Sequence, residues 1–259
     1  MIATVPISSR SDISHSPWNI SWELLPDDYV LPDDPVENLI QPALAAFLNE
    51  ILGLHGFITA DAIATTDFGI CANVNGKTVV KAPDWVWIPH VEPLADKHIR
   101  RSYTPYKEGD LPAIVMEFLS ASDCGEYSMN PNYPYGKWWF YERILQIPIY
   151  VIFHPESGDL EVYFLKDGRY ERSAVPENGL YWLDALGLHL SVWEGSRFNS
   201  HAFWLRWWNR EGELLPCGNE LVEQERQRVE QERQRVEQER QRNERLIVQL
   251  RSLGVEPDP

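Results

Sequence analysis

Residues 114–120 read IVMEFLS, a short apolar run with a single carboxylate, Glu117, in its middle. Such a run is typical of a buried strand. A carboxylate in a buried strand is costly unless another group pairs with it. The stretch APDWVWI upstream carries Asp84 near its start, and the stretch KWWFYERIL downstream is a predicted helix that opens with Lys137. We therefore expect the fold to be organised around Asp84, Glu117 and Lys137.

The composition limits the classes of function. With 259 residues, 44% of them hydrophobic, the chain can close the core of one medium domain and carry appendages. Its formal net charge of −16 excludes a generic polycation that coats nucleic acid or anionic membrane. The three cysteines are scattered and form no C-x-x-C pair, so the sequence predicts reduced thiols rather than a zinc knuckle or a disulfide framework. A protein of this charge that acts on a phosphodiester needs metal ions or a local basic surface.

The sequence also bears on localisation. Residues 1–20 lack the basic start and the continuous apolar stretch of a signal peptide. No apolar run approaches the roughly 20 residues that span a bilayer. We therefore expect a cytoplasmic protein with no membrane partner.

Three segments are predicted along the chain. Residues 1–35 are rich in Ser, Asp and Pro and are interpreted as an N-terminal arm, 36–217 as the main domain, and 218–259 as a charged helix. Within the main domain, NLIQPALAAFLNEILG predicts a helix that starts near Pro42 and is capped by Gly53. The order of strand, strand, helix, strand and hairpin that follows, with Lys166-Asp167-Gly168 as the hairpin signal, indicates an α/β fold, a mixed β-sheet with flanking helices.

An aromatic zone over residues 180–217 allows two interpretations. Its tryptophans could form a stacking platform for bases with arginines nearby. The alternative, which we favour, is β-rich structure in which these rings form a packed cluster that closes a sheet edge. The residues concerned are Trp204, Trp207, Trp208, Arg206 and Arg210.

The C-terminal segment repeats VEQERQR three times over residues 222–242. A seven-residue repeat suggests a coiled coil. Each repeat has only one apolar residue (Val222, Val229 and Val236), so half of the expected seam is polar. Glu–Arg pairs at i,i+3 spacing support a solvated single helix, which we favour over a weak homodimer.

Asp84, Glu117 and Lys137 together suit phosphodiester hydrolysis. Carboxylates on adjacent strands can hold Mg²⁺, which lowers the pKa of a bound water and polarises the phosphoryl group. Asp84 and Glu117 are the predicted metal ligands, for Mg²⁺ or Mn²⁺, and Lys137 would position or help deprotonate the water. Each residue also has an ordinary interpretation: a turn residue, a carboxylate paired with arginine, and a cation on a helix surface.

The sequence around these three residues makes the pattern more specific. PDWVWI, IVMEFLS, GEY and KWWFYERILQIPIYVIFHPESGDLEVYFLKDGRYE, in this order and spacing, resemble the Uma-type restriction endonuclease family of the PD-(D/E)XK nuclease superfamily. The resemblance implies that Asp84 takes the place of the motif's Asp and Glu117 that of its second acid. The motif's lysine would fall at Leu119. The resemblance therefore implies that the lysine has migrated to the following helix, as Lys137.

The resemblance implies a metal-dependent endonuclease acting on DNA, and it extends from about residue 37 to residue 195. Glu37 resembles the extra acid that many such nucleases carry on the first helix, and Glu126 of GEY is a further candidate acid, expected at the rim of the site. Two other interpretations stay open. One is an inactive descendant that serves as a binding or assembly module through its C-terminal helix, and the other is a carboxylate-pair hydrolase such as a glycosidase.

Overall fold

The computed structural model describes residues 40–93, 99–119 and 125–252 of the chain. The predicted N-terminal arm and the candidate acid Glu37 lie outside the described residues. The division of the chain into three segments stays a prediction.

The first eight strands build a central sheet and a hairpin beside it. They are β1 (Ile63–Thr65), β2 (Ile70–Val74), β3 (Lys77–Lys81), β4 (Trp85–Ile88), β5 (Ile114–Phe118), β6 (Ile149–His154), β7 (Asp159–Lys166) and β8 (Arg169–Arg172). The central sheet has the order β1-β4-β5-β6-β7-β8, and β2 pairs with β3 alone. β5 and β6 run parallel, while the other neighbours in the sheet are antiparallel. The predicted mixed sheet is therefore confirmed.

Strand β5 lies in the middle of this sheet and is buried along its whole length. Because side chains alternate along a strand, its residues divide between two faces. Ile114, Met116 and Phe118 belong to one buried cluster, and Val115 belongs to another. Glu117 therefore shares the face of Val115, which we call the second face of the sheet. The site described below lies on this face.

The first face is covered by α1 (Ile40–Leu54) and by a second sheet. That sheet consists of β9 (Tyr181–Leu183), β10 (Leu188–Arg197) and β11 (Ser200–Trp208), in the order β11-β10-β9. Phe47 of α1 packs edge-on against Trp204, with ring centroids 6.2 Å apart. Trp204 and Trp207 are fully buried, so the platform interpretation is wrong for these two rings. They are packed as the alternative predicts, but over the first face of the central sheet rather than at its edge.

Two details of the helix and turn predictions are settled by the backbone. The predicted C-cap Gly53 lies inside α1, and the chain turns only at Gly56, whose φ is +75°. There Phe57 N–H donates to the Leu52 carbonyl at 2.9 Å. The predicted Asp167–Gly168 hairpin turn between β7 and β8 is present, with positive φ at both residues.

The second face is covered by the β2–β3 hairpin and by the helix that begins at Lys137. This helix starts as α2 (Lys137–Trp139) and continues as a π-helical turn, Phe140–Leu145; we call the whole segment the Lys137 helix. The residue before this helix is Gly136, and a glycine is needed there because a Cβ would collide with the Ser128 carbonyl. Phe140 and Tyr141 are buried against the sheet in the second cluster. The predicted helix is thus present and lies over the strands that carry the acids.

The C-terminal repeats form α3 (Gly218–Ser252), and no residue of α3 is buried. Ion pairs of the predicted spacing are present, including Glu225–Arg228 at 2.9 Å. Within the described residues, the bonds that tie α3 to the rest of the domain lie at its first turn, where Gly218 N–H donates to Glu50 and Arg206 pairs with Glu220. The homodimer stays a prediction. Among the described residues, no helix combines the length and the apolarity needed to cross a membrane.

Candidate active site

Asp84 and Glu117 are brought together by the pairing of β4 with β5. Trp85 is paired with Met116 in the antiparallel register, so Asp84, one residue earlier, stands beside Glu117. Alternation along the strand places both carboxylates on the second face. The Phe118 N–H donates to Asp84 Oδ2 at 2.5 Å and holds that carboxylate at the strand end. The two strands that carry acids are therefore neighbours, as the sequence predicts.

Glu117 is the buried centre of the site. Its side chain is 0% exposed, yet both oxygens have a hydrogen-bond donor. Lys137 Nζ donates to Oε2 at 2.9 Å and the Tyr141 hydroxyl donates to Oε1 at 3.0 Å. Burial raises the pKa of Glu117 to about 8, because a charged carboxylate loses its hydration there. The Glu117 carboxylate is thus paired, which offsets the cost of burying a charged group in the central strand.

Lys137 lies at the start of its helix, which directs its ammonium toward the acids. Nζ is 2.9 Å from Glu117 and 3.4 Å from Glu126. Burial opposes the charge, but Glu117, Asp84 and Glu126 together raise the pKa of Lys137 above its usual value. Lys137 is therefore an ammonium in this arrangement. It can neutralise charge and orient a water, but it has no free lone pair to act as a base.

Glu126 is a buried member of the site. It lies in a short 3₁₀ turn, Gly125–Tyr127, and is 4% exposed. The Tyr150 hydroxyl fixes this turn by donating to the Glu126 carbonyl at 2.9 Å. One carboxylate oxygen, Oε1, faces Lys137, while Oε2 is buried with no hydrogen-bond partner among the described residues. The expectation that Glu126 lies at the rim is therefore wrong, because Glu126 is buried beside Lys137 and its turn is fixed by Tyr150.

The charges of the site favour a divalent cation. Burial raises the pKa of Asp84 to about 6, and the nearby carboxylates Asp67 and Glu126 add to this effect. Asp84, Glu117 and Glu126 thus face the ammonium of Lys137, and among the described residues Glu126 Oε2 is a buried acceptor without a donor. Carboxylate oxygens are the ligands that Mg²⁺ prefers.

The number of protein ligands is small. In the part of the chain that the structure describes, no group of three or more His, Cys, Asp or Glu side chains is arranged to hold a metal. Mg²⁺ commonly keeps several waters and binds through one or two carboxylates. Asp84 and Glu117 fit that mode as a pair, with water completing the shell. Glu117 would then exchange its contact with Lys137 or Tyr141 for the ion.

Tyr141 contacts Glu117 at the site, although the sequence analysis did not single it out. It follows Lys137 by four residues, the spacing that brings two side chains onto one helix face. This spacing is the signal that could have revealed it. Glu142, by contrast, is buried beside Tyr141 but accepts hydrogen bonds from Tyr170 N–H and Trp138 Nε1. Glu142 is therefore a structural carboxylate outside the site.

Comparison with known families agrees with this geometry. The family described as "Putative restriction endonuclease", Uma2, matches residues 20–193, about two thirds of the chain. The chain belongs to the Uma2 family. The match covers α1, the central sheet, the Lys137 helix and the residues of the site, so the α/β fold is restriction-endonuclease-like and a nuclease-like function follows at a coarse level. No curated protein matches the chain.

Proposed function

We propose that this chain is a divalent-metal-dependent endonuclease that hydrolyses phosphodiester bonds of DNA. The observation that carries the proposal is the convergence of Asp84 and Glu117, from adjacent strands, with Lys137 on one face of the sheet. Glu117 is fully buried and lies 2.9 Å from the lysine ammonium. Membership of the Uma2 family supports a nuclease rather than another carboxylate-pair hydrolase.

Each residue has a role that follows from its contacts. Asp84 and Glu117 would hold the ion, Mg²⁺ or Mn²⁺, which when bound polarises a phosphoryl group and lowers the pKa of a coordinated water. Lys137, fixed as an ammonium, would donate to a phosphate oxygen or to the attacking water and stabilise charge as it develops. Tyr141 would keep Glu117 in position by its hydrogen bond to Oε1. Glu126 would help to hold Lys137 through the contact of its Oε1 with the lysine Nζ at 3.4 Å.

A second candidate function is an inactive nuclease fold that binds or assembles through α3. The observation in its favour is that both Glu117 oxygens are already engaged, by Lys137 and Tyr141. A pair locked in this way could be purely structural. Binding of a metal ion distinguishes the two candidates, since the inactive fold has no need of it.

The test combines metal binding with DNA cleavage by the purified full chain. We expect calorimetry to detect Mg²⁺ or Mn²⁺ binding, and we expect cleavage of supercoiled and linear DNA that EDTA abolishes. Asp84→Asn and Glu117→Gln should abolish both metal binding and cleavage. Lys137→Met should bind metal but cleave roughly 10²–10³-fold more slowly, the usual effect of removing one charge-stabilising donor.

The matched control is Glu142→Gln. This variant removes a buried carboxylate that lies on the Lys137 helix but has partners outside the site, such as the Tyr170 N–H. Cleavage by this variant, corrected for its folded fraction, should stay near that of the wild type. Metal binding without cleavage of any DNA tested would transfer the chain to the second candidate, and absence of metal binding at millimolar concentration would refute the mechanism.

A further inference from the structure

Lys81 is a charged residue at the site that the roles above leave unused. It is the last residue of β3 and precedes Asp84 by three positions. The strand pairing puts Lys81 opposite Ile70, a fully buried residue of the second-face cluster. Lys81 therefore lies at the end of β3, just before the short connection through Asp84 to β4.

The side chains of β3 show which way Lys81 faces. Lys77, Val79 and Lys81 occupy alternate positions and so share one face of the strand. Lys77 Nζ lies 4.7 Å above the ring of Tyr133, in the loop before the Lys137 helix. Val79 is buried in the same cluster as Tyr141. Lys81 continues this row and is half-buried toward the site.

Among the residues that the structure describes, no counter-charge is in direct contact with the ammonium of Lys81. Within the described residues it has neither a hydrogen bond nor an ion pair, unlike Lys166, which pairs with Glu171 at 3.0 Å. Burial, followed by repulsion from Lys137, lowers the pKa of Lys81, and attraction to Glu117 opposes this. Lys81 thus interacts electrostatically with both the lysine and the acid at the centre of the site. Because a half-buried ammonium without a partner has lost part of its hydration, a bound anion would stabilise it.

We propose that Lys81 binds a phosphate oxygen of the DNA strand held in the active site. This inference rests on the proposed function. The net charge of −16 repels a polyanion, so DNA must be held by local cations. Lys81 and Lys137 repel each other, and a phosphate bound near both would offset this repulsion; a phosphate is the anion that a nuclease substrate supplies. Lys81 is thereby a binding residue for the phosphate backbone, independent of base sequence.

The test measures DNA affinity as a function of salt concentration. Binding of a labelled mixed-sequence duplex is compared for Glu117→Gln, which should not cleave, and for the same chain with Lys81→Gln or Lys77→Gln added. Removing one phosphate contact should weaken binding roughly tenfold and reduce the slope of log K against log salt by about 1. We expect this from Lys81→Gln. Lys77→Gln is the matched control on the same strand face, since Lys77 is engaged with Tyr133, and it should change neither quantity by more than about twofold.

Cleavage kinetics give a second readout. In the otherwise wild-type chain, Lys81→Gln should raise KM for DNA more than it lowers kcat, and Lys81→Arg should restore most of the affinity because it keeps the charge. Equal effects of the two lysine variants, or an unchanged salt slope in a chain that still cleaves DNA, would overturn the inference and leave the proposed function intact. A wild-type chain that neither binds nor cleaves DNA would refute the proposed function, and the role of Lys81 with it.

Discussion

Replacing Glu220 by glutamine should loosen the attachment of α3 and change the acid stability of the domain. Glu220 lies in the first turn of α3 and receives two hydrogen bonds from Arg206, at 2.7 and 3.1 Å. It also accepts the Cys217 N–H at 2.8 Å. Arg206 is 0% exposed, so Glu220 is the counter-charge of a fully buried guanidinium. Glu220→Gln keeps the shape but leaves that charge unpaired.

The magnitude follows from the pKa of Glu220. Partial burial alone would raise it, but the bonds from Arg206 and Cys217 lower the pKa from its usual 4.5 to about 2. At about 1.36 kcal/mol per pH unit the difference sets an upper limit near 3.4 kcal/mol. The Glu220 side chain is 38% exposed, so solvent screening reduces the value and we expect ~1–2 kcal/mol. Since the folded pKa is lowered, this stability is present above pH 4.5 and is lost as the pH falls toward 2.

The assay is urea unfolding followed by tryptophan fluorescence from pH 7 down to the lowest pH at which the chain stays folded. Glu220→Gln should lower the free energy of unfolding at pH 7 and flatten its decline below pH 4.5. Adding Arg206→Met to it should recover part of the loss, because no buried charge is then unpaired. Glu225→Gln, in an exposed pair with Arg228, is the control and should change nothing measurable. A Glu220→Gln chain as stable as the wild type at pH 7, with the same decline in acid, would refute this account.

Two further predictions concern Tyr141 and the C-terminal helix α3. Tyr141→Phe should preserve metal binding yet lower kcat for DNA cleavage by roughly tenfold, since it removes one hydrogen bond that orients Glu117. If kcat and the pH–rate profile are both unchanged in this variant, the Tyr141 hydroxyl is dispensable. A chain that ends after Gln227 retains Glu220 and should fold and cleave like the full chain, whereas one that ends after Gly218 loses Glu220 and should unfold at lower urea concentration, as fluorescence would report.

Much of the fold could be predicted because local patterns and tertiary packing agree. The apolar run of β5, the Asp167–Gly168 turn and the charged repeat of α3 each specify one backbone conformation by themselves. The end of α1 could not be predicted, since Gly53 is an ordinary capping residue and only the packing of α1 carries the helix past it. The burial of Trp204 and Trp207 was favoured but not decided by sequence, because exposed and buried tryptophans look alike there.

The candidate site was predictable in part for a similar reason. Glu117 stood out because a carboxylate in a buried strand needs a partner, and in the structure Lys137 and Tyr141 are its partners. Their catalytic roles stay predictions. Lys81 and the buried position of Glu126 could not be predicted, since each depends on how a hairpin or a turn folds against residues distant in the chain. A single lysine in a strand is usually a solvated surface residue, so nothing in its neighbourhood marked it.

The energetics of the site favour an active enzyme over an inactive scaffold. A buried ion pair contributes little net stability, and apolar residues of similar size often stabilise a protein as well or better. Here Glu117 and Glu126 are buried and Asp84 is half-buried near Lys137, and one Glu126 oxygen lacks a partner in the described part of the chain. Assembly through α3 would require none of these charges, because α3 is fixed through Arg206, which contacts Phe47 on the first face of the sheet. Since the costly charges lie on the second face, a scaffold could lose them and gain stability. Their presence together therefore supports the proposed metal-dependent reaction.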